Sequence, residues 1–218
     1  QRSDFMESWI VKKSEGSVAD RHLTLPSFDA RQIIIHEIDK PTMVFGTAQR
    51  NNYLEEEIKC DYVYRKSGGG AVFLEPGQVL WVDFVIPRGD LLWCDDIRYS
   101  SVWLGELWVS ALRGVGLSGV VYDGEIRKNE LSPFVCFAGL TTGEVTLFGK
   151  KIIGISQRRT REGAWFQCAA LFSWPVKAIV DLLHLEPREK SIEDLFELAA
   201  PIEGDPDELL QALIKSVN

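Results

Sequence analysis

Apolar residues in this chain come in short runs rich in β-branched and aromatic side chains, and turn-forming or charged residues end each run within about a strand's length. Arg31 to Ile38 (RQIIIHEI), Cys60 to Tyr64 (CDYVY), Val79 to Ile86 (VLWVDFVI) and Trp165 to Trp174 (WFQCAALFSW) are the clearest cases. Pro87-Arg88-Gly89-Asp90 closes the third of them. Glu144 to Phe148 and Ile152 to Gln157 predict a strand pair turning at Gly149-Lys150-Lys151, and Val120 to Ile126 and Phe134 to Phe137 predict two more strands. Met43 to Phe45, after Pro41, predicts an extension of the layer begun by Arg31 to Ile38, whereas the first thirty residues show no clear periodicity.

Helical spacing is confined to other stretches. Asp95 or Asp96 can cap a helix running to about Gly114, since Ile97, Leu104, Leu107, Trp108, Ala111 and Leu112 fall near one face. Arg50 to Glu57, Pro175 to Leu185, Ile192 to Leu198 and Pro206 to Val217 predict further helices, the last with proline early and acids in its first turn. No repeat, low-complexity run or long linker divides the chain. The expected fold is therefore one α+β domain over residues 1–218: a mixed, largely antiparallel sheet with flanking helices, some gathered at the C-terminal end.

Composition narrows the function. With 45% hydrophobic residues, 11 Phe, 7 Trp and 5 Tyr, the 218 residues can fill a substantial core. No apolar run approaches the roughly 20 residues of a membrane span, and Gln1 to Lys13 does not read as a secretory signal. A net charge of −8 argues against nucleic acid as a partner. Arg158-Arg159-Thr160-Arg161 is either a docking spot for an acidic partner or a solvated loop. The four cysteines lack CxxC spacing and the three histidines are scattered, so no metal site is expected; so few cysteines predict free thiols and a cytoplasmic protein.

Three features carry chemistry. Arg65-Lys66-Ser67-Gly68-Gly69-Gly70-Ala71-Val72 places three glycines between a strand and an apolar run, where backbone N–H groups can approach a ligand and Arg65 can pair with a phosphate or carboxylate. Read alone, a triple glycine fits a flexible turn better. In Gly149-Lys150-Lys151-Ile152-Ile153-Gly154-Ile155-Ser156-Gln157, a lysine entering an apolar strand can polarise an acyl carbonyl, or be a surface hairpin lysine. Cys136, between Val135 and Phe137, is either an activated nucleophile or an inert buried thiol. The aromatic stretches Trp103 to Trp108 and Trp165 to Trp174 fit either an acyl tunnel or ordinary core.

Taken together, SGGGAV after a basic residue and GKKIIGISQ some eighty residues later resemble the biotin/lipoate attachment family of lipoate-protein ligases, octanoyltransferases and biotin-protein ligases. Pro41 to Gly46 with Gln49 is similar to an early segment of that family. The resemblance covers about residues 30–175, favours the lipoate branch, and within it looks like short actinobacterial lipoate ligase-like members. It implies the sheet shared with class II tRNA synthetases. It also implies that Arg65 and Ser67, Gly68, Gly69, Gly70, Ala71 and Val72 wrap the acyl group, and that Lys151 contacts the acyl carbonyl. Gly154, Ile155 and Ser156 would line the same pocket.

Departures from the family pattern bear on the route. Ligases carry His-Asp where this chain has Leu74-Glu75, and an Asn or Asp pair where it has Gly139-Leu140. Cys136, meanwhile, looks like the nucleophile of cysteine-type octanoyltransferases. The leading expectation is transfer of a lipoyl or octanoyl group through a Cys136 thioester to a lysine of a lipoyl domain or H protein. Such a transferase would use acyl carrier protein as a donor and hold no permanent cofactor. The alternatives are an ATP- and Mg-dependent lipoate ligase aided by an accessory domain, and a non-catalytic protein that binds acyl groups or acyl-proteins.

Overall fold

The structure, a computed structural model, describes residues 8–50 and 58–217. Apart from Arg50, the helix expected over Arg50 to Glu57 lies outside the described residues. Among the described residues ten strands form two sheets. The larger sheet is ordered β1 (Ile10–Lys13), β2 (Gln32–His36), β6 (Val79–Pro87), β10 (Gly163–Leu171), β9 (Lys150–Arg159), β8 (Val145–Leu147) and β7 (Val120–Val121). Only the β1–β2 pair in it is parallel, in keeping with the expected largely antiparallel arrangement.

The smaller sheet is ordered β4 (Asp61–Tyr64), β3 (Thr42–Phe45) and β5 (Val72–Leu74). Its central strand corrects the expectation that Met43 to Phe45 extends the layer of β2. All four β3 residues are buried, which requires cover on both faces. Val44 faces Trp81, Leu171 and Phe137 between the sheets. Met43 and Phe45 face the other way, towards α3 (Val176–Leu182) and α4 (Arg188–Leu198). The opposite face of the larger sheet buries Val82, Phe84, Phe166 and Ala170 against α2 (Val102–Gly114) and α5 (Pro206–Ser216). Trp108 and Trp165 are core residues, buried to 0% and 2% exposure, as the ordinary-core reading of the aromatic stretches requires.

Other boundaries moved for local reasons. The helix expected from Asp95 or Asp96 begins only at Val102, because the Asp96 carboxylate accepts from the Arg98 backbone N–H at 3.0 Å and pairs with its guanidinium, spending the acid on a turn. Phe134 to Phe137 is not a strand. Asn129 Oδ1 accepts from the N–H groups of Leu131 and Ser132 while its Nδ2 donates to Ala138 O, gathering this segment into turns around one bridge, Val135 to Ala71. Only Val120 and Val121 of the expected Val120 to Ile126 strand pair.

The β8–β9 turn is Phe148-Gly149, with φ of 51° and 80°, so Lys150 and Lys151 already belong to β9. The unperiodic N-terminus contains β1 and α1 (Val18–Leu23), the latter fixed by a capping box between Ser17 and Asp20. Among the described residues no helix is long and apolar enough to cross a membrane.

Candidate active site

Two loops meet over the end of β9. The glycine loop leaves β4 at Arg65, whose guanidinium is buried and donates back to Gly68 O at 2.6 Å and Gly70 O at 3.0 Å. Arg65 thus shapes the loop through its carbonyls. Its burial pulls the guanidinium below the usual arginine range, an effect opposed by the neighbouring Cys136. Gly70 is needed at its position because a Cβ there would sit 2.6 Å from Val135 C and 2.7 Å from Cys136 N. Ala71 N–H donates to Phe134 O and Ala71 O accepts from Cys136 N–H, tying the two loops into one unit.

Lys151 enters this unit from below. In the pairing of β8 with β9, Val145 faces Ile153 and Thr146 faces Lys151, so Ile152 is an extra residue; such bulges re-aim neighbouring side chains. The Lys151 side chain is 3% exposed. Its Nζ contacts Glu144 Oε1 at 2.8 Å, Cys136 O at 3.0 Å and Gly139 O at 3.0 Å, and lies 5.0 Å over the Phe137 ring. Glu144 in turn accepts from Ile155 N–H and Thr141 N–H. The buried ammonium therefore has a paired charge and three acceptors for its three protons. A Cβ on Gly154 would stand 3.2 Å from both Lys151 Cε and the Phe137 ring, so its glycine leaves room for them.

The remaining expected residues divide by position. Ser67 is buried, 3.2 Å from Ser156 Oγ and donating to Gln167 Oε1. Val72 and Gly154 line a narrow, mostly apolar pocket between the sheets, together with Leu74, Trp81 and His22. Gly68 and Gly69 stand exposed at the rim of a separate wide cleft that Lys151 and Ile155 also line. Ala71 points away from both, into the cluster with Met43. Cys136 and Ser156 line both spaces and so mark where they join. The pocket holds about 40 Å³, room for a few waters at most, and the cleft about 900 Å³.

A match to the family model described as "Lipoyl protein ligase A/B catalytic domain" spans residues 19–201. The chain belongs to that family. A relative, the octanoyltransferase LipM of Clostridioides difficile (strain 630), is 27% identical over 190 residues, covering 77% of this chain and 68% of that protein. The bipartite lipoate protein ligase of Thermoplasma acidophilum, solved with its E2 lipoyl domain, superposes with a TM-score of 0.71 at 18% identity, over 96% of this chain and 82% of that one. A structure of Ta0514 from T. acidophilum, a lipoate protein ligase homologue with bound lipoic acid, gives 0.69 at 18% identity, over 97% and 84%. At such identities these two show the fold, which is the lipoate-ligase fold the motifs implied.

Sequence reasoning passed over four residues that this candidate site gathers. Glu144, a carboxylate heading an apolar strand, is the counter-charge that a buried Lys151 demands. Gln167, a polar side chain inside an otherwise apolar run, pairs in register with Ser156. His22 and Trp81 reach the narrow pocket from α1 and β6. The capping box Ser17-x-x-Asp20 was the available sign of α1. Cys168 also lines that pocket; burial pushes its thiol far up, which keeps it protonated. Arg158 donates to Lys66 O and Arg159 to Cys94 O, so the basic run holds neighbouring loops.

Proposed function

We propose that this chain, acting as one catalytic domain, transfers a lipoyl or octanoyl group to a lysine of a lipoyl-domain or H-protein acceptor through a thioester on Cys136. The observation that carries the reading is the position of Cys136, at the junction of the narrow pocket and the open cleft with the Arg65 guanidinium beside its side chain. The pocket's apolar lining matches an acyl chain, which must widen the pocket from about 40 Å³ to enter, and the cleft is open to a macromolecular donor or acceptor. The likeness to an octanoyltransferase supports the same reading.

In this scheme the Cys136 thiolate attacks the carbonyl carbon of an acyl thioester such as octanoyl carrier protein. A new C–S bond forms, and Lys151 and nearby N–H groups stabilise the oxyanion. The donor's sulfur leaves as a thiolate and takes up a proton. The neutral amine of the acceptor lysine then attacks, its nitrogen gives up one proton to solvent as the amide forms, and the C–S bond breaks so that Cys136 departs as thiolate. Arg65, Ser67 and Gly68 to Val72 hold the loop and the start of the chain, with Gly154, Ile155 and Ser156 beneath it.

A second reading is favoured by the width of the cleft: about 900 Å³ beside the glycine loop accommodates a nucleotide, as an ATP- and Mg-dependent ligase would require. Intact mass after incubation with octanoyl carrier protein, without ATP, separates the two. The transferase gains an octanoyl increment that hydroxylamine removes and that Cys136→Ser lacks. A chain that stays unmodified, with an acceptor domain acylated only when lipoate and ATP are added, is a ligase.

A further inference from the structure

Two of the residues lining the narrow pocket, Arg65 and His22, carry a buried nitrogen that no hydrogen bond among the described residues satisfies. His22 Nε2 is buried without a hydrogen-bond partner, while Nδ1 lies 3.1 Å from Gln167 Nε2. With the Gln167 amide set by Ser67, whose hydroxyl donates to Oε1, the amide NH₂ faces His22, so Nδ1 accepts and Nε2 bears the proton. The ring is clamped flat against Trp81, centroids 4.4 Å apart, so the free N–H has a fixed direction. Burial lowers the His22 pKa to about 3, so the imidazole is neutral at working pH and compatible with an apolar ligand.

Its depth follows from which residues the two spaces share. Cys136 and Ser156 line both pocket and cleft, whereas His22, Trp81, Leu74 and Ala169 line the pocket alone. His22 therefore faces the pocket and not the cleft, on the side where the chain beyond a carbonyl at Cys136 would lie. Leu74, Val72 and Ala169 supply apolar surface to the same pocket, against which the unpartnered N–H of His22 stands out.

Resting on the reading that this pocket holds the acyl chain, we infer that His22 is a specificity-determining residue. Its Nε2–H takes an accepting atom on the buried tail and so favours the sulfur-bearing dithiolane of a lipoyl chain over an unfunctionalised octanoyl chain. An octanoyl tail leaves the N–H buried and unpaired, and a site built with a donor discriminates against the ligand that lacks the acceptor.

The test is calorimetric binding of free lipoic acid and free octanoic acid to the full chain, wild type, His22→Phe and His22→Gln. Wild type is expected to bind lipoic acid about tenfold more tightly. His22→Phe brings the two affinities together, and His22→Gln, which keeps a donor, restores part of the gap. Equal affinities in the wild type, which needs no variant to fold, overturn the inference, as does an undiminished gap in His22→Phe. Binding of neither acid overturns both this inference and the acyl-pocket reading. A lipoate preference without acylation of Cys136 leaves His22 its role and removes only the thioester route.

Discussion

Lys151 Nζ donates to the main-chain carbonyl of Cys136 at 3.0 Å, so the charge proposed for the acyl carbonyl is anchored on the backbone of the proposed nucleophile. All three ammonium protons are already engaged, by Cys136 O, Gly139 O and Glu144 Oε1. A substrate carbonyl must therefore replace one of the two main-chain acceptors, and the charge can move to it without crossing water. Replacing Lys151 by Met is expected to lower the acylation rate by roughly 10²–10³-fold, the usual effect of losing an oxyanion donor. Rapid-quench measurement of acyl-enzyme formation would show it; an unchanged rate would remove Lys151 from the chemistry.

Glu144 is predicted to matter first for stability. Its carboxylate, 2% exposed, pairs with Lys151 and accepts two backbone N–H groups. Glu144→Ala strands a buried ammonium and should cost about 3–5 kcal/mol in urea unfolding. The double variant Glu144→Leu/Lys151→Met removes both charges and should recover part of that loss. If the single change costs no more than the double, the pair is not acting as a buried ion pair.

Cys136 is positioned by a close backbone approach that tolerates no side chain at Gly70. A Cβ at 2.6–2.7 Å from Val135 C and Cys136 N must displace the turn that carries the thiol. Gly70→Ala should slow Cys136 acylation by at least about tenfold, because sub-ångström misplacement of reacting groups is costly. Alkylation by a small reagent should continue, since the thiol itself remains. Mass spectrometry of both reactions separates misplacement from loss of the fold.

How much of this was legible in the chain depended on whether the signal was local. Val79 to Ile86 and Trp165 to Leu171 announce central strands because both faces are covered, leaving near-continuous apolar runs. Gly70 and Lys151 stood out through their neighbours in sequence. Glu144 and Gln167 did not, because their meaning lies in partners across a hairpin or another loop: Lys151 for one, Ser67 and His22 for the other. Cys136 was placed on an expected strand that side-chain hydrogen bonds from nearby Asn129, which leave no trace in the apolar pattern, turn into a loop. That loop brings its side chain to the pocket mouth.

Acid should weaken the fold through His22. Its pKa falls from an unperturbed 6.5 to about 3 on folding, chiefly because burial disfavours the charged ring. Between those values the unfolded chain binds a proton that the folded one refuses, so stability is complete above about pH 6.5 and declines as pH falls towards 3. The slope contributed is at most about 1.4 kcal/mol per pH unit. Urea midpoints from pH 7 to 4 should fall less steeply in His22→Phe than in wild type. Parallel curves would mean that His22 is reached by protons in the folded state.

Arg65 supplies the last prediction, because its role is geometric as much as electrostatic. One guanidinium nitrogen, Nη2, spans Gly68 O and Gly70 O, while Nη1 reaches Val44 O at 3.4 Å and the group also adjoins Cys136. A lysine keeps the charge but cannot bridge several carbonyls from one planar group. Arg65→Lys should therefore retain a cation near the sulfur yet loosen the loop, lowering acylation by about tenfold or more while thiol alkylation by iodoacetamide changes little. Arg65→Met, which removes the cation as well, should slow both reactions. If Lys and Met variants behave alike in both assays, the charge beside Cys136 contributes nothing and the arginine serves only to fold the glycine loop.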